Sequence, residues 1–175
     1  LVVYGWSSEP DRLQPFTRHL QMAEALDMSL VLIEDRGLPP IEVPNRVDVW
    51  WRGERNGGLM LILAHLLSLN WEWARMRLRI LRHVSTEVEQ STAEAELEAL
   101  IHRARVQAEP RVLVSDRPFE EILPEESGDA ACVFLGFDVP ETEQAEAWHA
   151  HYEELMVGLP TVLLVASSGS ADALA

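Results

Sequence analysis

Short apolar runs alternate with amphipathic stretches along the whole chain. "LVVYG" at the start reads as a strand. From Asp11 to Asp27, the positions Leu13, Phe16, Leu20, Ala23 and Leu26 recur at helical spacing. Ser7 or Ser8 is a candidate cap for that helix, with Pro10 in its first turn. "LVLIE" is a second strand. The link "DRGLPPIEVPNR" holds three prolines and excludes regular structure. "VDVWW" is a third strand, and Gly57 to Asn70 reads as an apolar helix. "MRLRIL" alternates, with Met76, Leu78 and Ile80 on one face and Arg75, Arg77 and Arg79 on the other.

The second half continues the pattern. Thr86 with Glu89, or Ser91 with Glu94, has capping-box spacing at the head of a helix whose apolar stripe is Leu97, Leu100, Ile101 and Ala104. Acids crowd the start of that helix and Arg103 and Arg105 its end, which suits the helix dipole. "RVLVS" is a strand, "DRPFEEILPEESGD" a loop and "AACVFLGF" a strand. Glu141 to Val157 is a helix turning Ala145, Trp148, Tyr152, Leu155 and Met156 inward, and "TVLLVASS" is the last strand. This alternation predicts one α/β domain over residues 1–168. Its sheet is doubly wound and mostly parallel, with helices on both faces. A flexible tail is expected over residues 169–175.

Composition narrows the picture. A 175-residue chain that is 47% hydrophobic can bury a core without disulfides. Its formal charge is −15 and every basic residue except histidine is arginine, so nucleic acid and anionic lipid are poor partners. The lone Cys132 sits in an apolar run, where a small core residue is the ordinary reading and a reduced, cytosolic compartment the natural one. Leu59 to Leu67 is too short to span a bilayer, which needs about twenty residues, so direct membrane insertion is not expected. The start inside a strand, without an initiator methionine, suggests a piece of a longer protein.

Candidate chemistry is sparse. Gly57 and Gly58 follow a strand and precede a helix, a place that can cradle phosphate. The remaining fingerprint is missing, including any Walker lysine. The plainer reading is a tight turn that brings the helix close to the sheet. Trp50 and Trp51 point to opposite faces of their strand and fill core volume on each, with a stacking platform as the sharper alternative. Asp48, on the face of Trp50, is suited to pairing with an arginine. His149 and His151 are two apart on a helix and share no face, so no metal pair is expected. The row Arg75, Arg77, Arg79 and Arg82 suits either an anion or neighbouring acidic helices. Ser115-Asp116 and Ser167 to Ser170 follow strands, where open α/β sheets bind ligands, but no nucleophile elbow accompanies them. No catalytic residue, cofactor or metal is assigned, and an enzyme is not expected.

The block "RVDVWWRGERNGGLMLILAHLLSLNWEWARMRLRIL" resembles the cytosolic C-terminal domain of cation-chloride cotransporters. The matching positions are Asp48, Val49, Trp50 and Trp51, then Gly57, Gly58 and Leu59, then Trp71 or Trp73, then Arg77 and Arg79. The flanks "HLQMAEALDMSLVLIE" and "DAACVFLGFDVPE" through "YEELMVGLPTVLLVASSGS" look like the units before and after that block. The resemblance implies the second half of the cytosolic region of a prokaryotic Na-K-Cl or K-Cl cotransporter, within the amino acid permease superfamily. It implies a universal-stress-protein-like fold in which Asp48, Trp50, Trp51, Gly57, Gly58 and Leu59 are structural. It also implies, as partners, the membrane transport domain and the first cytosolic half of the same chain, a homodimer, and a place on the cytoplasmic side of the inner membrane. The long phosphorylated insertion of animal members has no counterpart in the compact interval Ser85 to Asp129. A nucleotide-binding sensor of the universal stress type is the alternative; lacking the glycine-rich signature, the chain is not expected to bind nucleotide tightly.

Overall fold

The computed structural model describes residues 1–38, 46–73 and 75–169. Seven strands make one sheet: β1 (Val2–Gly5), β2 (Leu30–Glu34), β3 (Arg46–Trp50), β4 (Arg77–Val84), β5 (Glu109–Val114), β6 (Cys132–Gly136) and β7 (Thr161–Ala166). Five helices connect them: α1 (Leu13–Ala25), α2 (Glu54–Ser68), α3 (Glu87–Ala104), α4 (Phe119–Ser127) and α5 (Ala145–Leu155). The strand order is β1-β2-β7-β6-β3-β4-β5. Every neighbouring pair is parallel except β2 with β7, where Leu32 faces Leu164 in an antiparallel register. The sheet is therefore mostly parallel and α/β. The chain runs outward from β3 through β4 to β5, then returns to β6 and β7 on the other side. That reversal puts a topological switch point between β3 and β6.

Two apolar layers sandwich the sheet. Phe16 and Leu20 of α1, Ile122 and Leu123 of α4, Leu155 of α5 and Met156 just beyond it pack with Trp50 on one face. Leu59, Leu61 and Ala64 of α2 and Leu97 and Leu100 of α3 pack with Trp51 on the other. On this second face α3 lies over β4 and β5, and α2 over β3, β6 and β7. Val3 at the β1 edge stays 54% exposed. The outer side of α2 is uncovered too: Leu66, Leu69 beyond its end, and Trp71 in the following 3-10 turn all face solvent. Among the described residues no second layer covers these side chains. None of the described helices is long and apolar enough to cross a membrane.

Several boundaries differ from the sequence expectation. The stretch read as a loop, "DRPFEEILPEESGD", contains α4. Its prolines misled because one, Pro118, stands ahead of the first turn, where no N–H is needed. The other, Pro124, removes one hydrogen bond from a nine-residue helix. Burial of Ile122 and Leu123 offsets that loss, and Arg117 reaches Glu121 and Glu125 one and two turns on. The spacing Phe119, Ile122, Leu123 was the available signal. Helix α2 begins at Glu54 rather than Gly57, because Gly53 at φ 150° makes the break after the strand. Helix α1 is capped by neither serine. Ser8 donates to Glu153, and a 3-10 turn, Pro10–Arg12, leads in. At α3 the structure uses Thr86 and Glu89, a full capping box. Most of the proline-rich link, residues 39–45, and the tail from residue 170 onward lie outside the described residues.

Candidate functional site

Strand β3 carries two different environments on alternate residues. Trp50 is fully buried, and its indole Nε1 donates to Ser127 Oγ at 3.0 Å. Ser127 Oγ in turn donates to Asp48 at 2.8 Å. The Asp48 carboxylate has no solvent exposure, yet it is fully engaged. Arg79 Nε and Nη2 grip its two oxygens at 2.9 and 2.7 Å, and Arg46 Nε reaches it at 3.2 Å. Both guanidiniums also donate to the Glu126 carbonyl, and Arg46 pairs with Asp129. The network ties β3 and β4 to the C-terminal end of α4. A bidentate arginine in this setting supplies geometry as well as charge compensation. Of the arginine row, Arg79 therefore goes to a neighbouring strand and α4, while Arg82 pairs with Glu96 of α3.

Trp51 sits on the other face and makes a different fit. A Cβ at Gly57 would overlap the Trp51 ring, so only glycine lets α2 lie this close to the strand end. Gly57 and Gly58 lie inside α2 and not in a loop. They form no phosphate cradle. Leu59 is buried in the same layer. Of the two linking tryptophans, Trp73 is buried and Trp71 is 76% exposed. Cys132 is buried on this face, and burial pushes its thiol well above the ordinary range, away from thiolate chemistry.

Sequence reasoning missed Asn56. Its Nδ2 donates to the Phe137 carbonyl and its Oδ1 accepts from the Ser167 amide, both at 2.9 Å. It closes the start of α2 onto the carboxyl ends of β6 and β7. Its side chain also packs against Gly136, in space a Cβ there would crowd. A lone asparagine in "RGERNGG" gives no pattern that would single it out. His149 and His151 are apart: His149 Nε2 donates to the Ser7 carbonyl and its ring stacks on Trp6, while His151 is exposed. Nearby, Glu153 is partly buried, which opposes ionisation. Hydrogen bonds from Trp6 and Ser8 outweigh that and hold the carboxyl below its usual range. Among the described residues no group of three or more His, Cys, Asp or Glu is placed to hold a metal ion.

Two cavities open at the carboxyl ends of the central strands. A cavity of about 680 Å³ lies over the carboxyl ends of β3 and β4, lined by Arg52, Gly53, Arg82, His83, Arg103 and Phe119 among others. A second, of about 350 Å³, runs from Arg52 toward Phe137, Asp138 and Tyr152, whose hydroxyl is pushed up to about 12 mainly by burial. Arg52 borders both and lies 5.1 Å from the centre of the Phe119 ring.

Residues 42–118 match the family model described as solute carrier family 12. The match spans Arg46, Asp48 and Arg79 of the buried network, Trp50 and Trp51, α2 and α3. The crystal structure of the cytoplasmic domain of a prokaryotic cation chloride cotransporter has a similar fold. The TM-score is 0.73 at 19% identity, over 98% of this chain and 65% of that one. The resemblance read from the sequence therefore holds both in the central block and in the fold. The chain spans just under two thirds of that relative's length. A functionally unknown protein from Pseudomonas aeruginosa PAO1 is more distant, with a TM-score of 0.48 at 12% identity over 98% of this chain and 64% of that one. No curated protein matches the chain.

Proposed function

We propose that the chain is a cytosolic regulatory and docking domain of a cation-chloride cotransporter, the second half of that protein's cytosolic region. The observation that carries this reading is the solute carrier family 12 match across the central block, within a chain that shares its fold end to end with a cotransporter cytoplasmic domain. The domain acts by binding, not by catalysis. Its partners are the membrane transport domain and the first cytosolic half of the same polypeptide, and it contributes to a homodimer on the cytoplasmic side of the inner membrane. The exposed apolar residues Leu66, Leu69 and Trp71 support a docking role, because a surface of this kind is usually covered in use. Control of coupled Na, K and Cl movement then requires contacts that differ between transport states.

Deleting Leu1 to Ala175 from the parent protein tests the reading. Chloride-dependent cation uptake into proteoliposomes and the oligomeric state are measured at matched protein amounts. Altered uptake kinetics or weakened dimerisation is expected. Unchanged rate, affinity and oligomeric state would exclude a regulatory or scaffolding role.

A further inference from the structure

We propose that the cleft at the β3/β4 strand ends is a binding site for a small phosphate-bearing solute, held by Arg52 and Arg103. The proposal does not depend on the transporter reading.

Three observations carry it. The first is the cavity itself. At about 680 Å³ it falls in the size range of small-molecule sites. It lies outside the carboxyl ends of β3 and β4, the side of an open α/β sheet on which ligands are usually taken, one strand away from the reversal of strand order.

The second is its charge. In a chain of net −15, three arginines converge on one concavity. The carboxylates facing them are Glu54 and Glu96. Glu96 is committed to Arg82. Glu54 meets Arg103 only at 3.9 Å, with both side chains more than half exposed, so an incoming anion competes with a weak pair. Arg52 makes no ion pair with any described residue and lies over the Phe119 ring. The cleft therefore holds one uncompensated guanidinium and a second that is easily recruited.

The third is the start of α2, which opens on the same cavity through Gly53 and Glu54. No side chain caps it, so its first-turn N–H groups have no intrahelical or side-chain acceptor. The space beside Gly53 is empty. Guanidinium forks and free helix amides together match the oxygens of a phosphate group better than a halide or a single carboxylate. This site is not the glycine-rich cradle tested in the sequence. Asn56 fills the corresponding corner beside β6, and the cleft lies on the other side of Arg52.

An NMR titration of the isotope-labelled chain with sodium phosphate tests the site, with sodium chloride keeping ionic strength constant. Saturable shifts are expected at the amides of Gly53 to Asn56 and at the side-chain signals of Arg52 and Arg103, with half-saturation at about 1–10 mM. Arg52→Gln, an exposed change that leaves the fold intact, should weaken binding about tenfold, as loss of a charge-assisted hydrogen bond does. Arg18→Gln, on the surface of α1, should leave it unchanged. Repeating the titration with AMP separates a free phosphate from a phosphate ester: the same residues shift in both, and a lower half-saturation with AMP identifies the ester as the preferred form. Shifts that do not saturate, that appear equally with chloride alone, or that survive Arg52→Gln would overturn the proposal.

Discussion

The two faces of β3 solve the same packing problem by different physics. On the Trp50 face a buried carboxylate, two arginines, a serine and an indole form a closed hydrogen-bonded set. That set specifies which helix packs there, because only the end of α4 supplies Ser127 and the Glu126 carbonyl. On the Trp51 face the fit is steric: a ring against a missing Cβ, within a wholly apolar layer. The polar face is covered by three helices; the apolar face has two and keeps exposed apolar residues on and beyond α2. On the polar face the charge network itself is fully satisfied and buried, and what it fixes is the helix that covers it. A face organised by shape alone can extend its apolar surface to a partner.

Variants can break either arrangement. Asp48→Ala leaves two part-buried guanidiniums without their carboxylate and should cost about 3–5 kcal/mol. Trp51→Ala, a large-to-small change in a packed layer, should cost a similar ~3–5 kcal/mol. Denaturant melts measure both; a loss below about 1 kcal/mol at either position would remove the structural role assigned to it.

A smaller effect sharpens the steric side. Gly57→Ala should destabilise by about 1–3 kcal/mol through overpacking against Trp51. Combined with Trp51→Leu, the two changes should cost less than the sum of their separate losses, since the smaller side chain makes room for the new methyl. Additive losses in a double-mutant cycle would mean that the glycine serves the backbone and not the ring.

The smallest effect is on the polar side. The hydrogen bond from Arg46 holds the Asp129 carboxyl below its usual range. A depressed folded-state value contributes stability that is present above the ordinary carboxylate range and lost as pH falls through the folded value. Acid melts of Asp129→Asn should therefore show a shallower loss of stability at low pH than the parent chain, and little difference near neutrality. An identical acid limb would show that this outer member of the network contributes nothing.

Much of the fold was legible because its signals are local. The period-two and period-3.6 runs located every described strand and four of the five described helices. The tryptophan pair could be assigned to opposite faces from strand geometry alone. Other features were not legible, each for a physical reason. Helix α4 hid behind Pro118 and Pro124 because its stability comes from Ile122 and Leu123 meeting the core, a tertiary term. The antiparallel seam between β2 and β7 depends on which sheet edge a strand joins, and side-chain alternation does not encode that. The cleft assembles Arg52, Arg82 and Arg103 from three separate elements, so no motif spacing announces it. Asn56 and the choice between Trp71 and Trp73 were hidden for the same reason: one polar side chain, or one of two like neighbours, carries no periodicity.

The central claim is that the uncovered face of α2 is a working surface of a larger transporter. The direct test places Leu66→Glu together with Trp71→Glu in the parent protein and measures chloride-dependent cation uptake in proteoliposomes. Both side chains are more than half exposed, so the stability of the chain itself should change by no more than about 0.5 kcal/mol. The account predicts altered uptake kinetics despite that intact fold. Uptake identical to the unmodified transporter, with the substituted domain folded and present in equal amount, would contradict it.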